Sequence, residues 1–303
     1  MMTPAASDPI WHSIGSAISA RADRTFALAN VRAVSGGCVN NTVVIDDCNG
    51  RNFFVKLNTA NYADMFAAEA DGLHALSGTK TLRTPAPVCF GSNDQYAWLV
   101  LEYLGKLQSR SNGSWNLAGR ELALMHQSRG KQYGWHRDNT IGSTPQINTC
   151  SESWVEFLRQ QRIGYQLDLA DRNGHRGRLL TRGHRLLDEL PTLFTDYTPD
   201  VSLLHGDLWS GNIGFVENGE PVVFDPAVYY GDRETDIAMT ELFGGFADEF
   251  YRGYEDVWPL DRGYRDRKHI YNLYHLLNHL NLFGTSYLRQ CELLIDRVLA
   301  QLD

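Results

Sequence analysis

In Leu204-His205-Gly206-Asp207-Leu208-Trp209-Ser210-Gly211-Asn212 an aspartate and an asparagine stand five residues apart. A second aspartate, Asp225, follows Asn212 after thirteen residues and closes the apolar run Val222-Val223-Phe224. One carboxylate to take a hydroxyl proton, then an amide and a second carboxylate to hold Mg2+, are the parts that phosphoryl transfer from ATP requires. The transition state of that reaction is loose. It needs the acceptor hydroxyl positioned and its proton accepted, and little covalent help. Asp207 is therefore the expected catalytic base. Asn212 and Asp225 are the expected metal ligands, since Mg2+ takes hard oxygen donors and only one or two of them from protein. An isolated Asp-x-x-x-x-Asn would be no more than a capped turn. His205-Gly206 before it and Asp225 after it turn it into a constellation.

Further residues complete the set. Lys56 lies late in the apolar run Phe53-Phe54-Val55-Lys56-Leu57, where a charge needs a partner, and Glu69 thirteen residues on can supply it. Such a pair would aim the ammonium at the ATP phosphates. Ser35-Gly36-Gly37-Cys38-Val39-Asn40-Asn41 is neither a Walker loop nor GxGxxG, but Gly36 and Gly37 would let backbone N–H groups approach a phosphate. Cys38 within it is a candidate for a reactive thiol. Backbone groups of Glu102-Tyr103-Leu104 are placed to meet the adenine edge. Asp232-Arg233-Glu234-Thr235-Asp236 reads as an acidic helix start, with Asp236 able to reach back and brace the catalytic loop. His205 is expected to support that loop. His275 and His279 sit i,i+4 without an HExxH pattern, so a core or surface role is expected of them rather than zinc binding.

These residues need two kinds of scaffold. Residues 31–34, 42–46 and 53–57 read as strands, with Asn49-Gly50 as a hairpin turn. A helix over 65–76 follows, carrying Glu69, and then strands at 88–90 and 97–101. From about residue 105 the pattern turns helical: 115–127, 153–171, 177–190, 234–243 and segments between 247 and 302. A β-type island interrupts it, with 202–204 leading into the catalytic loop and 213–215 and 221–224 flanking Asn218-Gly219. A hairpin there would bring Asn212 and Asp225 to one end. The expected fold is α+β and bilobal: a small lobe, 1–103, of antiparallel sheet plus one helix, and a large, mainly helical lobe, 104–303.

The 303 residues suffice for two lobes with a substantial core. A net charge of −8 argues against nucleic-acid or anionic-membrane binding. Cys38, Cys48, Cys89, Cys150 and Cys291 form no CxxC pair, which argues against a disulfide framework or a zinc ribbon. No run approaches the ~18 apolar residues of a membrane span, and residues 1–24 carry no signal-like apolar core. A soluble cytoplasmic protein is expected, with monomer and homodimer both compatible.

The chain resembles the fructosamine kinase (ketosamine 3-kinase) family, which has a protein-kinase-like fold and is related to aminoglycoside and choline phosphotransferases. The resemblance rests on residues 203–212, on Phe224-Asp225-Pro226-Ala227, on Tyr230-Gly231-Asp232-Arg233-Glu234 with Asp236, and on Phe53-Phe54-Val55-Lys56. Ser143-Thr144-Pro145-Gln146-Ile147-Asn148 and Gln161-Arg162-Ile163-Gly164-Tyr165-Gln166-Leu167 extend it along the chain. It implies Asp207 as proton acceptor, Asn212 and Asp225 as metal ligands, Lys56 and Glu69 as the ATP-orienting pair, and Glu102, Tyr103 and Leu104 at the adenine hinge. It also implies MgATP as phosphoryl donor. The implied acceptor is the sugar 3-hydroxyl of ketosamines, free or on glycated proteins, whose phosphorylation leads to deglycation. Some members carry a redox-sensitive cysteine where Cys38 falls. Trp209, Asp138, Asn139 and Trp154 are candidates for the sugar site, aromatic faces suiting sugar C–H surfaces and Asp or Asn suiting hydroxyls; for Trp154 a place in the core is at least as well supported. Other hydroxyl acceptors, such as an aminoglycoside or a choline-like amine, and a regulatory nucleotide-binding role remain alternatives. The intact chemical set argues against the regulatory role. Asp225-Pro226-Ala227 in place of DFG, with no APE-like motif after it, argues against a protein Ser/Thr kinase.

Overall fold

The uninterrupted apolar run at 97–101 calls for a strand buried on both faces, and the structure provides a helix for each. This computed structural model describes residues 4–5, 7–21, 25–34, 39–108 and 113–302. Gly36, Gly37 and Cys38 lie outside the described residues. In the small lobe, α1 (Ile10–Ser19) is followed by β1 (Leu28–Ala33), β2 (Asn41–Asp47), β3 (Asn52–Thr59), α2 (Ala63–Gly78), β4 (Pro87–Ser92) and β5 (Tyr96–Glu102). The strands form one antiparallel sheet in the order β1-β2-β3-β5-β4. Side chains alternate along β5. Trp98 and Val100 pack with Ile10, Trp11, Ile14 and Ile18 of α1, while Ala97, Leu99 and Leu101 pack with Met65, Phe66 and Leu73 of α2. Helix α1 lies in a stretch that reads as mixed in polarity. Its signal is nevertheless present, because Ile10, Trp11, Ile14 and Ile18 share one helical face.

The large lobe begins with α3 (Ser114–His126) and a short hairpin of β6 (Asn139–Ile141) and β7 (Thr144–Gln146). The helix expected over 153–171 is broken into α4 (Trp154–Phe157), a π-helical stretch Leu158–Gly164 and α5 (Tyr165–Arg172). After α6 (Arg178–Glu189) come β8 (Ser202–Leu204), β9 (Ile213–Phe215), β10 (Pro221–Val223) and β11 (Tyr229–Gly231). The lobe is completed by α7 (Glu234–Leu242), α8 (Asp248–Val257), α9 (Tyr264–Phe283) and α10 (Leu288–Leu302). Its core is a single cluster that runs from α3 to α10 and takes in Leu76 of α2 and Leu82 from the small lobe. Trp154 belongs to that core, 2% exposed and packed against Tyr133, Phe157 and Tyr271, which is the core role open to it in the sequence. Among the described residues no helix is long and apolar enough to cross a membrane.

Candidate active site

The alternation that buries β3 also aims its lysine. Phe53, Val55 and Leu57 face the α1 side, so Lys56 points to the α2 side with Phe54. On α2, Glu69 lies one turn beyond Met65 and one before Leu73, on the buried face. Lys56 is 4% exposed and its Nζ bonds Glu69 Oε1 and, at 2.5 Å, Asp225 Oδ1. Burial works against the ammonium charge, but the Asp225 and Glu69 carboxylates outweigh it and hold Lys56 protonated. Burial raises the Glu69 carboxyl, with Lys56 pulling the other way.

The β9–β10 hairpin has the expected form. Ile213 pairs with Val223, and Phe224 N–H donates to Asn212 O at 3.1 Å, so Asn212 and Asp225 sit at the same end. Asn212 Nδ2 donates to Asp207 O at 2.8 Å and to Asp207 Oδ2 at 3.2 Å. That orientation holds the Asp207 carboxylate and leaves Asn212 Oδ1 as an acceptor that takes no hydrogen bond from the described residues. Asp225 is held at φ +56°, a conformation that non-glycine residues adopt at a cost of about 1–3 kcal/mol and that concentrates at functional sites. One carboxylate oxygen and one amide oxygen at the mouth of one hairpin fit a hard divalent cation that fills its remaining positions from phosphate and water. Burial, then the nearby Asp225 charge, pushes the Asp207 carboxyl up to about 7, against the pull of the Asn212 hydrogen bond. A carboxylate poised there suits general-base work near neutral pH.

A buried brace fixes the loop from behind. Asp236, at the start of α7, accepts His205 N–H at 2.7 Å through Oδ2 and Gly206 N–H at 2.8 Å through Oδ1. His126 on α3 shares Oδ2 at 3.1 Å, and its other ring nitrogen meets the Tyr254 hydroxyl at 2.8 Å. The reach-back expected of Asp236 is thus present, whereas His126 and Tyr254, single residues within helices, carry no sequence signal for it. His205 Nε2 donates to Phe224 O at 3.1 Å and Nδ1 accepts Asp207 N–H at 3.3 Å, which assigns the neutral tautomer of a loop support. Burial lowers the His205 pKa and agrees with that state. Gly206 has φ +82°, and a Cβ there would stand 2.0 Å from Ala227 O, so the loop crosses the Asp225 segment where only glycine fits.

At the lobe junction the side chain of Glu102 is committed to Arg83 at 2.7 Å, and its N–H donates to Ala86 O. Arg83 also reaches Glu220 at 3.1 Å, tying the junction to the β9–β10 turn. The Tyr103 ring lies against Arg32 of β1, 6.0 Å from its guanidinium. The Leu104 N–H donates to none of the described residues, which leaves it as the open edge for a planar base. On the acceptor side, Trp209 is 37% exposed, rests on Gly211 and meets Phe243 edge-on at 6.2 Å. Asp138 is exposed, and its Oδ1 accepts Asn148 N–H at 2.8 Å. Asn139 turns inward: Nδ2 donates to Val228 O at 2.8 Å, and Oδ1 accepts Gln146 Nε2 at 2.8 Å and Asn148 Nδ2 at 2.9 Å. Its amide is the geometry of a brace, and the sequence expectation of an open hydroxyl binder gives way to that. His275 is buried and His279 half-buried, as expected of core residues, and no group of three or more potential His, Cys, Asp or Glu metal ligands occurs among the described residues.

A sheet lobe with a buried lysine–glutamate pair, set over a helical lobe with paired Asp and Asn loops, defines a kinase-fold phosphotransferase that uses an alcohol group as acceptor. Comparison with known proteins narrows the class. The fructosamine kinase family model matches residues 10–301. A Synechocystis protein named as a probable ketoamine kinase is 44% identical over 297 residues, 98% of this chain and 99% of its own length. The chloroplastic protein-ribulosamine 3-kinase of Arabidopsis thaliana is 41% identical over 278 residues, 91% of this chain and 84% of that one. A solved Haemophilus somnus structure, with a provisional fructosamine-3-kinase description, superposes with a TM-score of 0.87 at 31% identity, covering 95% of this chain and 97% of that one. An aminoglycoside phosphotransferase with a TM-score of 0.60 at 16% identity, covering 100% of this chain and 97% of that one, shares the fold. The chain belongs to the fructosamine kinase family.

Proposed function

We propose that this protein transfers the γ-phosphoryl group of MgATP to the sugar 3-hydroxyl of a ketosamine of the fructosamine or ribulosamine type, an activity that leads to deglycation of the amine. The observation that carries the proposal is the convergence of Asp207, Asn212, Asp225 and Lys56 from both lobes, in a chain whose relatives are named for ketoamine and protein-ribulosamine phosphorylation. Bound MgATP supplies the electrophilic phosphorus and the cation charge that offsets the phosphates. Lys56, held by Glu69, would orient the phosphates; Asn212 Oδ1 and the Asp225 carboxylate would hold the metal; Asp207 would accept the acceptor's hydroxyl proton. The edge at Glu102, Tyr103 and Leu104 would hold the adenine, and Gly36 and Gly37, outside the described residues, remain the proposed phosphate-covering glycines. Trp209 offers its exposed face to the sugar, and Asp138 is the nearer candidate for a hydroxyl contact than Asn139. The 3-phosphate makes the adduct labile and frees the amine.

An acceptor panel tests this reading. With MgATP, ribulosamine and fructosamine derivatives should be turned over, and an aminoglycoside and a choline-like amine should not. Turnover confined to the latter two would replace the proposed acceptor, and binding of nucleotide without turnover of any acceptor would favour a regulatory role.

A further inference from the structure

Helix α2 carries Glu69, and two residues later it carries Asp71, which faces the other way out of the nucleotide site, toward the large lobe. Asp71 Oδ2 accepts Trp135 Nε1–H at 2.9 Å and lies 3.0 Å from His136 Nε2. The His136 arm is 60% exposed and contributes little, as solvated ion pairs do. The Trp135 arm is partly buried, and its ring packs on Tyr230 at 5.4 Å. Trp135 N–H in turn donates to Asn148 O at 2.9 Å.

Residues 135–148 have a second attachment. Asn139 Nδ2 donates to Val228 O, and Gln146 Nε2 donates to Ala227 O at 3.0 Å. These carbonyls stand two and three residues past Asp225. The segment is anchored to the core by Arg162, whose guanidinium donates to Ile147 O at 2.6 Å and Asn148 Oδ1 at 2.7 Å and lies over the rings of Tyr229 and Phe157, 4.1 and 4.5 Å from their centroids. The circuit closes directly as well: Gly72 of α2 approaches Val228 so nearly that a Cβ would stand 3.0 Å from its side chain. One polypeptide segment therefore grips both the helix that bears Glu69 and the loop that bears Asp225. Lys56 bonds both of those carboxylates.

We propose that residues 135–148 form a bracket that sets the separation of Glu69 and Asp225, with Asp71 and Trp135 as positioning residues for Lys56 and the nucleotide. The proposal rests on the assignment of Lys56, Glu69 and Asp225 to the phosphates and the metal. An ammonium shared by two carboxylates tolerates little change in their spacing, because hydrogen bonds weaken steeply with distance and angle. A loosened α2 would carry Glu69 away from Lys56, while Arg162 still holds Ile147 and Asn148, and through Asn148 the acceptor-side Asp138, to the core.

The test compares full-length wild type with Trp135→Phe, Asp71→Leu, their double variant and Lys56→Met. MgATP affinity is measured by calorimetry, and KM is measured separately for MgATP and for the ketosamine. Trp135→Phe keeps the ring on Tyr230 and removes only the donor. The bracket predicts that Trp135→Phe and Asp71→Leu each raise KM for MgATP about tenfold, the worth of one hydrogen bond to a charged group, with a smaller change in KM for the ketosamine because Arg162 still anchors the end that holds Asp138. The double variant should be no worse than Asp71→Leu, since both changes remove one interaction. If Asp71→Leu fails to fold, Trp135→Phe alone decides. MgATP affinity within twofold of wild type in the bracket variants, beside a large loss in Lys56→Met, overturns the bracket alone. Unchanged affinity in Lys56→Met overturns the nucleotide assignment beneath it.

Discussion

The two sides of the cleft are built differently. On the proposed nucleotide side the charged groups are interlinked: Lys56 with Glu69 and Asp225, Asp207 with Asn212, the loop backbone with Asp236, and Asp236 with His126. At the Trp209 face of the proposed acceptor side, rings meet rings. Trp209 leans on Phe243, Phe243 lies 4.8 Å from His279, and His279 lies 5.4 Å from the exposed Phe283. Phosphoryl transfer demands fixed positions for charge, and a preorganised polar network supplies them. Recognition of a sugar adduct demands a surface, and single substitutions there adjust affinity without disturbing the chemistry.

Breaking the first side should cost most. Asp207→Asn is expected to lower turnover by at least about a thousandfold while MgATP still binds, since the base is removed and the metal ligands remain; steady-state kinetics beside nucleotide calorimetry will show the split. Asp236→Ala comes next. It strands the His205 and Gly206 N–H groups and the His126 ring in a buried site, and urea denaturation should record a loss of about 3–5 kcal/mol. Trp209→Ala acts on the other side. KM for the ketosamine should rise by about ten- to a hundredfold, an aromatic contact's worth of about 1.5–3 kcal/mol, with KM for MgATP unmoved. An equal rise in both constants would erase the contrast between the two sides.

The smallest effect concerns α9, which backs the acceptor side. His275 is 1% exposed, and neither ring nitrogen has a hydrogen-bond partner among the described residues. Burial lowers its pKa to about 3. The unfolded chain takes up a proton near the ordinary value of about 6.5 and the folded chain does not, so this histidine costs stability as pH falls from about 6.5 toward 3. His275→Leu gives up no hydrogen bond to a described residue. It should match wild type at pH 8 and gain on it by about 1.4 kcal/mol for each pH unit below 6.5, read from denaturation midpoints at several pH values. A constant difference across that range would show that the ring is protonated or solvated in the fold.

The same contrast explains what the sequence disclosed. The convergence of Asp207, Asn212, Asp225 and Lys56 is legible because their types and spacing match what phosphoryl transfer would require, and because the Asn218-Gly219 turn predicts the hairpin that unites two of them. The strands 42–46, 53–57 and 97–101 are legible from their apolar runs. Helix α1 escaped because polar residues dilute an apolar face that is nonetheless complete. The break in 153–171 escaped because a π-helical turn has no composition of its own; it is visible only in the inward turn of Arg162. Asp71, Trp135 and His126 bond partners 64 to 128 residues away, and no local pattern encodes such pairings. Asn139 directs its amide to Val228, Gln146 and Asn148. An amide that can bind a hydroxyl can equally bind Val228 O, and only the fold distinguishes the two.

The most direct measurement is the site of phosphorylation. Wild-type protein, MgATP and a ribulosamine or fructosamine carrying 13C in the sugar should give one phosphomonoester, with carbon–phosphorus coupling placing the phosphate at the 3-oxygen, followed by release of the free amine. A phosphate on any other oxygen, or a ketosamine recovered unchanged while another alcohol is phosphorylated, would contradict the account.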